Sequence, residues 1–175
     1  MKFTLEKEVV VSDPCYELGT WCQEIVSGVK PGVYRAKTTK LGGRIATLTA
    51  LHADAPEKPK WAHYSYNVGV DSGQAGIFCH SSYRKDDTAR SLPWTLPEDS
   101  VIREIADGDA GDHWYAKMCN LTLSDQGWGG YDTGVVSSSG WGDGSYELSI
   151  CYEGDHDDNE IEGLKITFIE KSDLE

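Results

Sequence analysis

From Tyr146 to Tyr152 the chain alternates without a break: Tyr146, Leu148, Ile150 and Tyr152 interleave with Glu147, Ser149 and Cys151. That period of two belongs to a strand with one buried face, and no helix can present it. After an acidic break over Gly154–Glu160, Leu164, Ile166 and Phe168 alternate with Lys165 and Thr167, so the two runs read as a hairpin. Ahead of the first run lies Ser137-Ser138-Ser139-Gly140-Trp141-Gly142-Asp143-Gly144-Ser145, with glycine at every second position from 140 to 144. Such spacing suits a loop whose backbone takes positive φ or approaches another segment closely. A chain built on this stretch must fold around a sheet.

The rest of the sequence adds strands to it. Phe3, Leu5, Val9 and Val11 share one parity and end at Ser12-Asp13-Pro14. Asp13 before Pro14 suits a helix start, and Leu18, Trp21, Cys22, Ile25 and Val29 follow at helical spacing, with Gly28 and Pro31 to stop it. Val33–Lys37 and Ile45–Leu51 flank Leu41-Gly42-Gly43 as a second hairpin, which also carries the densest basic patch, Arg35, Lys37, Lys40 and Arg44. Trp61–Val70 reads as a strand running into the turn Asp71-Ser72-Gly73-Gln74-Ala75-Gly76. Pro97–Ile105 predicts a short helix, Trp114–Cys119 another, and Gln126–Tyr131 a second glycine-aromatic loop. Seven to nine strands with two or three short helices imply a single α+β domain over residues 1–175, β-rich, as a mostly antiparallel sheet or sandwich.

Three pieces carry a resemblance: Ser12-Asp13-Pro14-Cys15-Tyr16, Val70-Asp71-Ser72-Gly73-Gln74-Ala75-Gly76-Ile77-Phe78, and Ser139-Gly140-Trp141-Gly142-Asp143-Gly144-Ser145-Tyr146. In this order they resemble the signature of an uncharacterised family of bacteria and their phages, which has no established activity. The family often has aspartate where this chain has Cys79.

The formal charge of -13 disfavours phosphate backbones and anionic membranes as partners, which require clustered cations. The five cysteines include no Cys-x-x-Cys pair, which suits a reduced, cytoplasmic setting. The first residues lack a signal-peptide core, and no stretch approaches the ~20 apolar residues that span a bilayer.

Asp13, Asp71 and Asp143 each close a predicted strand within a loop of small residues. If the three loops lie at one end of the sheet they form a pocket, lined further by Ser72, Gly73, Gln74, Ser139 and Trp141. On the plainer reading, Asp13 caps a helix, Asp71 and Ser72 bond their own turn, and the tryptophans plug the sheet. The functional reading is a non-enzymatic binder of a small ligand, nucleotide-like and anionic, with Trp141 as a stacking face and glycine-loop amides as donors. The resemblance to a phage family makes sequestration of a nucleotide immune signal the expected purpose. One alternative gives the three carboxylates a divalent metal and makes the protein a hydrolase; another makes it an acidic inhibitor or immunity protein for a basic protein partner. No cofactor is expected otherwise. The histidines show no ligand spacing, and neither a phosphate loop nor Gly-x-Ser-x-Gly occurs. Cys15 at a helix N-terminus would have a lowered thiol pKa, the basic hairpin could form an anion-binding rim, and Asp155–Glu160 reads as a solvated charge run.

Overall fold

A computed structural model describes residues 1–85 and 112–175. The expected helix over Pro97–Ile105 and nearly all of the acidic run Asp107–Asp112 lie outside the described residues.

Among the described residues, eleven strands form two sheets. The first has the order β1 (Lys2–Leu5), β4 (Gly32–Leu41), β5 (Arg44–His52), β11 (Ile161–Thr167), β10 (Gly144–Tyr152), β6 (Ala62–Val70). The second has the order β3 (Glu24–Ser27), β2 (Glu8–Ser12), β7 (Gln74–Cys79), β9 (Gly134–Ser138), β8 (Trp128–Tyr131). All paired neighbours within the sheets are antiparallel. The domain is thus the β-rich sandwich that the alternation implies, with one α-helix among the described residues, α1 (Asp112–Thr122).

Alternation decides which face each side chain takes. Val9 and Val11 enter the core between the sheets, while Val10 between them points outward against Phe78, Tyr83, Trp114 and Met118. Trp114 and Met118 stand four residues apart on α1, so both meet the outer face of the second sheet. On the other sheet, Leu148, Ile150, Leu164 and Ile166 fill the core as their parity requires. Cys151 and Leu51 point outward yet are buried, because the loop between β5 and β6 lies over them with Ala55 and Trp61. The layers are loop, sheet, core, sheet and helix.

Several expectations change. No helix follows Asp13: Pro14–Gln23 is a series of turns and Glu24–Ser27 is a strand. The stripe taken for a helical face is largely in solvent, with Trp21 84% and Leu18 47% exposed. Its polar partners explain the outcome: Gln23 Oε1 accepts the Gly19 amide at 2.9 Å while its Nε2 donates to Ser12 Oγ at 2.9 Å, fixing the loop non-helically. The opening run is two strands in different sheets, because the chain crosses over at Glu6-Lys7. Gln126–Tyr131, read as a loop, contains β8.

Candidate functional site

Asp13 is fully buried, and its carboxylate ties two loops together. Oδ1 accepts the Cys15 amide at 2.8 Å and the Ser72 hydroxyl at 2.6 Å. Oδ2 accepts the Asp71 amide at 2.8 Å and the Ser72 amide at 2.7 Å. A carboxylate offers about four acceptor positions, so all are filled within the protein. Asp13 is a brace rather than a helix cap.

The brace extends outward. Buried Gln74 reaches Ser72 Oγ at 3.4 Å and Cys119 Sγ at 3.3 Å, and its Oε1 accepts the Thr122 hydroxyl at 2.9 Å, which fastens α1 to the same turn. The Ser139 amide donates to Gly73 O at 3.0 Å. Ser139 and Tyr146 both donate their hydroxyls to Gly142 O, at 2.8 and 2.7 Å. The loops of the three motifs therefore do meet: Asp13, Asp71, Ser72 and Gln74 share one network, and Gly73 joins it to Ser139. The carboxylates of Asp71 and Asp143 instead lie in exposed residues. Among the described residues, the group of three candidate metal ligands within 4.8 Å of one another is His156, Asp157 and Asp158, all exposed.

The surroundings of two further residues of this region are defined. Trp141 is 51% exposed, with the Arg44 guanidinium 5.2 Å from its ring centroid while Arg44 Nη1 donates to Gly140 O at 3.1 Å. Cys15 departs from expectation, since burial, followed by the charge of Asp13, pushes its thiol up to about 12. It is no activated nucleophile.

The basic hairpin has a different fate. Strand alternation sends Arg35, Lys37 and Thr39 to the outer face of the six-stranded sheet, whereas a bulge between Thr39 and Lys40 turns Lys40 and Arg44 toward the glycine loops around Gly127 and Gly140. On the outer face the sheet register builds a rung. Lys37 pairs with Thr49, Thr49 with Lys165, Lys165 with Ser149, and Ser149 with His63. Two lysines alternate with small hydroxyl residues over four strands, and His63 ends the rung on the fifth.

The loop over this face turns the rung into a groove. Two adjoining concavities of about 340 and 330 Å³ share Lys37, Leu51 and Glu57. The first also has Arg35; the second has Lys58, Lys165, Trp61 and the threonines 39, 47 and 49. Lys165 Nζ lies 4.8 Å from the Trp61 ring centroid, and burial lowers its proton affinity while Glu147 partly restores it. Among the described residues, none of Arg35, Lys37, Lys58 and Lys165 forms an ion pair with a carboxylate. Sequence reading found Arg35 and Lys37 but missed Lys58, Thr49 and Lys165, because only strand register unites residues over a hundred positions apart.

Compared with family models, with curated proteins and with solved structures, the chain finds no match. The functional reading rests on this geometry.

Proposed function

We propose that the protein is a non-catalytic binder of a small anionic molecule, held in the outer-face groove of the six-stranded sheet. The observation that carries this is the rung Lys37–Thr49–Lys165: two ammonium groups flank a hydroxyl in a concave site, unpaired with carboxylates, in a chain of net charge -13. In so acidic a protein, Arg35, Lys37, Lys58 and Lys165 gathered in one groove beside the single lining carboxylate Glu57 create a local positive potential that draws in an anion of matching size. Threonine hydroxyls add directional donors beside the point charges of lysine. Nucleotides belong to this ligand class. The glycine loops and the Asp13 brace then serve as scaffold, holding the two sheets in register behind the groove. A metal-dependent hydrolase built on Asp13, Asp71 and Asp143 has less support, since the lone pairs of Asp13 are already engaged.

The test is titration with methylphosphonate at low ionic strength, followed through backbone amide resonances. Saturable shifts centred on Lys37, Thr49 and Lys165, lost in the Lys37→Gln/Lys165→Gln double variant, are expected. Shifts that never saturate, or that centre on the loops at Asp71 and Trp141, would overturn the assignment.

A further inference from the structure

Two partly exposed tryptophans of this protein carry a cation on the ring: the Arg44 guanidinium lies 5.2 Å from the centroid of Trp141, and Lys165 Nζ lies 4.8 Å from that of Trp61. Trp21 differs. It is the most exposed large apolar side chain among the described residues, at 84%, and its indole makes no hydrogen bond, ring contact or cation contact with any of them. The loop that carries it is nevertheless fixed. Trp21 O accepts Asn67 Nδ2 at 3.1 Å and Cys22 O accepts the Gly69 amide at 2.9 Å, which lays the loop along the edge of β6, and both ends of the Gln23 amide hold it from the other side. Beside Asn67 stand two more rings, Tyr66 at 66% and Tyr64 at 39% exposed. Tyr66 packs on His63 at 4.4 Å between centroids, and His63 Nδ1 pairs with Glu147 Oε1 at 3.3 Å. Burial, followed by the charge of Glu24, raises the proton affinity of the Tyr64 phenol, so a second carboxylate lies near that ring. Residues 14–29 and 62–71 contain no lysine or arginine, while Glu17 and Asp71 are exposed and Glu24 half-buried. Neighbouring cations are engaged elsewhere: Arg84 donates to Pro14 O at 2.7 Å, and Lys60 meets Asp155 at 3.2 Å.

We propose that this aromatic edge, formed by Trp21, Tyr64 and Tyr66 with Glu24 beside them, docks a protein partner that presents arginine or lysine side chains among apolar ones. A guanidinium or ammonium group gains from an aromatic face and from nearby carboxylates at once, and the acidic surroundings steer a basic surface toward the rings. The apolar neighbours of that cation cover the rest of the rings, as tryptophan and tyrosine anchors require. Because the loop is already tied down, binding orders little chain. The three rings leave on the order of 400 Å² open, the size of the largest apolar patch on a typical monomer. That is about half of what a standard interface takes from each partner, which suits a reversible contact. A second copy of the chain fits poorly. It would bring its own acids against Glu17 and Glu24, and β6 offers a poor edge for strand pairing, since the Trp21–Cys22 segment covers it at Asn67 and Gly69 and register shifts interrupt it opposite Tyr146–Ser149.

The experiment titrates the protein with a short synthetic peptide of alternating arginine and leucine at physiological ionic strength, followed through the Trp21 indole N–H and the backbone amide resonances. Saturable shifts centred on Trp21 and residues 64–67 are expected. Replacing the arginines of the peptide by glutamate, or its leucines by serine, should weaken binding roughly tenfold or more. Trp21→Ala should cost a similar factor. It leaves the main-chain bonds of the loop in place and removes a side chain that is mostly in solvent, so the fold is kept. Glu24→Gln should weaken binding severalfold and flatten its salt dependence. Leu123→Ala, at a 63% exposed residue just past α1, should change neither. Four results would overturn the proposal: no saturable shift at Trp21, equal affinity for the glutamate peptide, a dimer in sedimentation equilibrium that Trp21→Ala abolishes, or tighter binding of a neutral oligosaccharide such as cellohexaose to the same resonances.

Discussion

The Asp13 carboxylate and the Ser72 backbone and side chain meet across 59 residues of sequence through three hydrogen bonds, at 2.6, 2.7 and 2.8 Å counting the neighbouring Asp71 amide. This links the end of β2 to the turn that carries the chain from one sheet to the other. A buried anion satisfied by amide and hydroxyl donors is stable only while every donor stays in place.

Replacing Asp13 by Asn should therefore be costly. The amide keeps one acceptor oxygen but turns an N–H₂ group toward two backbone donors, and a loss of about 3–5 kcal/mol is expected in urea unfolding. Asp71→Ala, which removes an exposed carboxylate and leaves the amide, should change stability by about 0.5 kcal/mol or less. Equal losses at the two positions would show that Asp13 does not brace the loops.

The glycines of the Ser139–Gly144 loop are not equivalent. Gly140 has φ +62°, and a Cβ there would sit 2.7 Å from Ile45 O and 2.9 Å from Ile169 Cγ1, whereas at Gly142, with φ +100°, nothing lies within 4 Å. Gly140→Ala should cost about 2–4 kcal/mol from strain plus overlap, and Gly142→Ala about 1 kcal/mol from strain alone. Thermal unfolding of the pair checks this, and the reverse order would contradict the packing described.

Cys15 should resist alkylation. With its thiol raised from 9.0 to about 12, the thiolate fraction at pH 8 falls roughly 10³-fold below that of an unperturbed thiol. Iodoacetamide labelling followed by peptide mass spectrometry should find Cys15 unmodified on a timescale that labels free cysteine fully. Rapid labelling would refute the burial and Asp13 effects.

Glu162 gives a pH-dependent signature. It is 3% exposed, and burial is the leading cause that raises its carboxyl above the usual range, with Lys30 acting in the opposite sense. The folded state thus holds this proton more tightly than the unfolded chain. Stability from this group is present below the unfolded value, near 4.3, and is lost as pH rises through the raised folded one. Glu162→Gln should raise the melting temperature at pH 7 by roughly 2–4 °C and leave it unchanged at pH 3. An equal effect at both pH values would rule out the proton-linked explanation.

The sandwich was legible where local pattern and global burial agree. The runs over β10 and β11 and the hairpin of β4 and β5 have the parity that the core demands. The stretch after Asp13 was misread because the helical spacing of Leu18, Trp21 and Ile25 is incidental; distant partners of Gln23 and Asp13 decide its path. The same limit applies to the site. The loops were visible as glycine-rich punctuation, and two of the groove's cations as a basic patch, but Lys165 joins Lys37 only through the pairing of β5 with both strands.

The position of β11 also governs how the molecule comes into being. The last strand among the described residues lies in the middle of the six-stranded sheet, between β5 and β10. Until residues 161–167 leave the ribosome, β1, β4 and β5 can assemble on one side and β6 with β10 on the other, each with an open hydrogen-bonding edge and no strand to join them within the sheet. Long-range strand pairing of this kind is slow, and unpaired edges invite association between nascent chains. The closing strand thus acts as a keystone inserted last, and the outer-face groove, whose rung passes through Lys165, does not exist before it arrives.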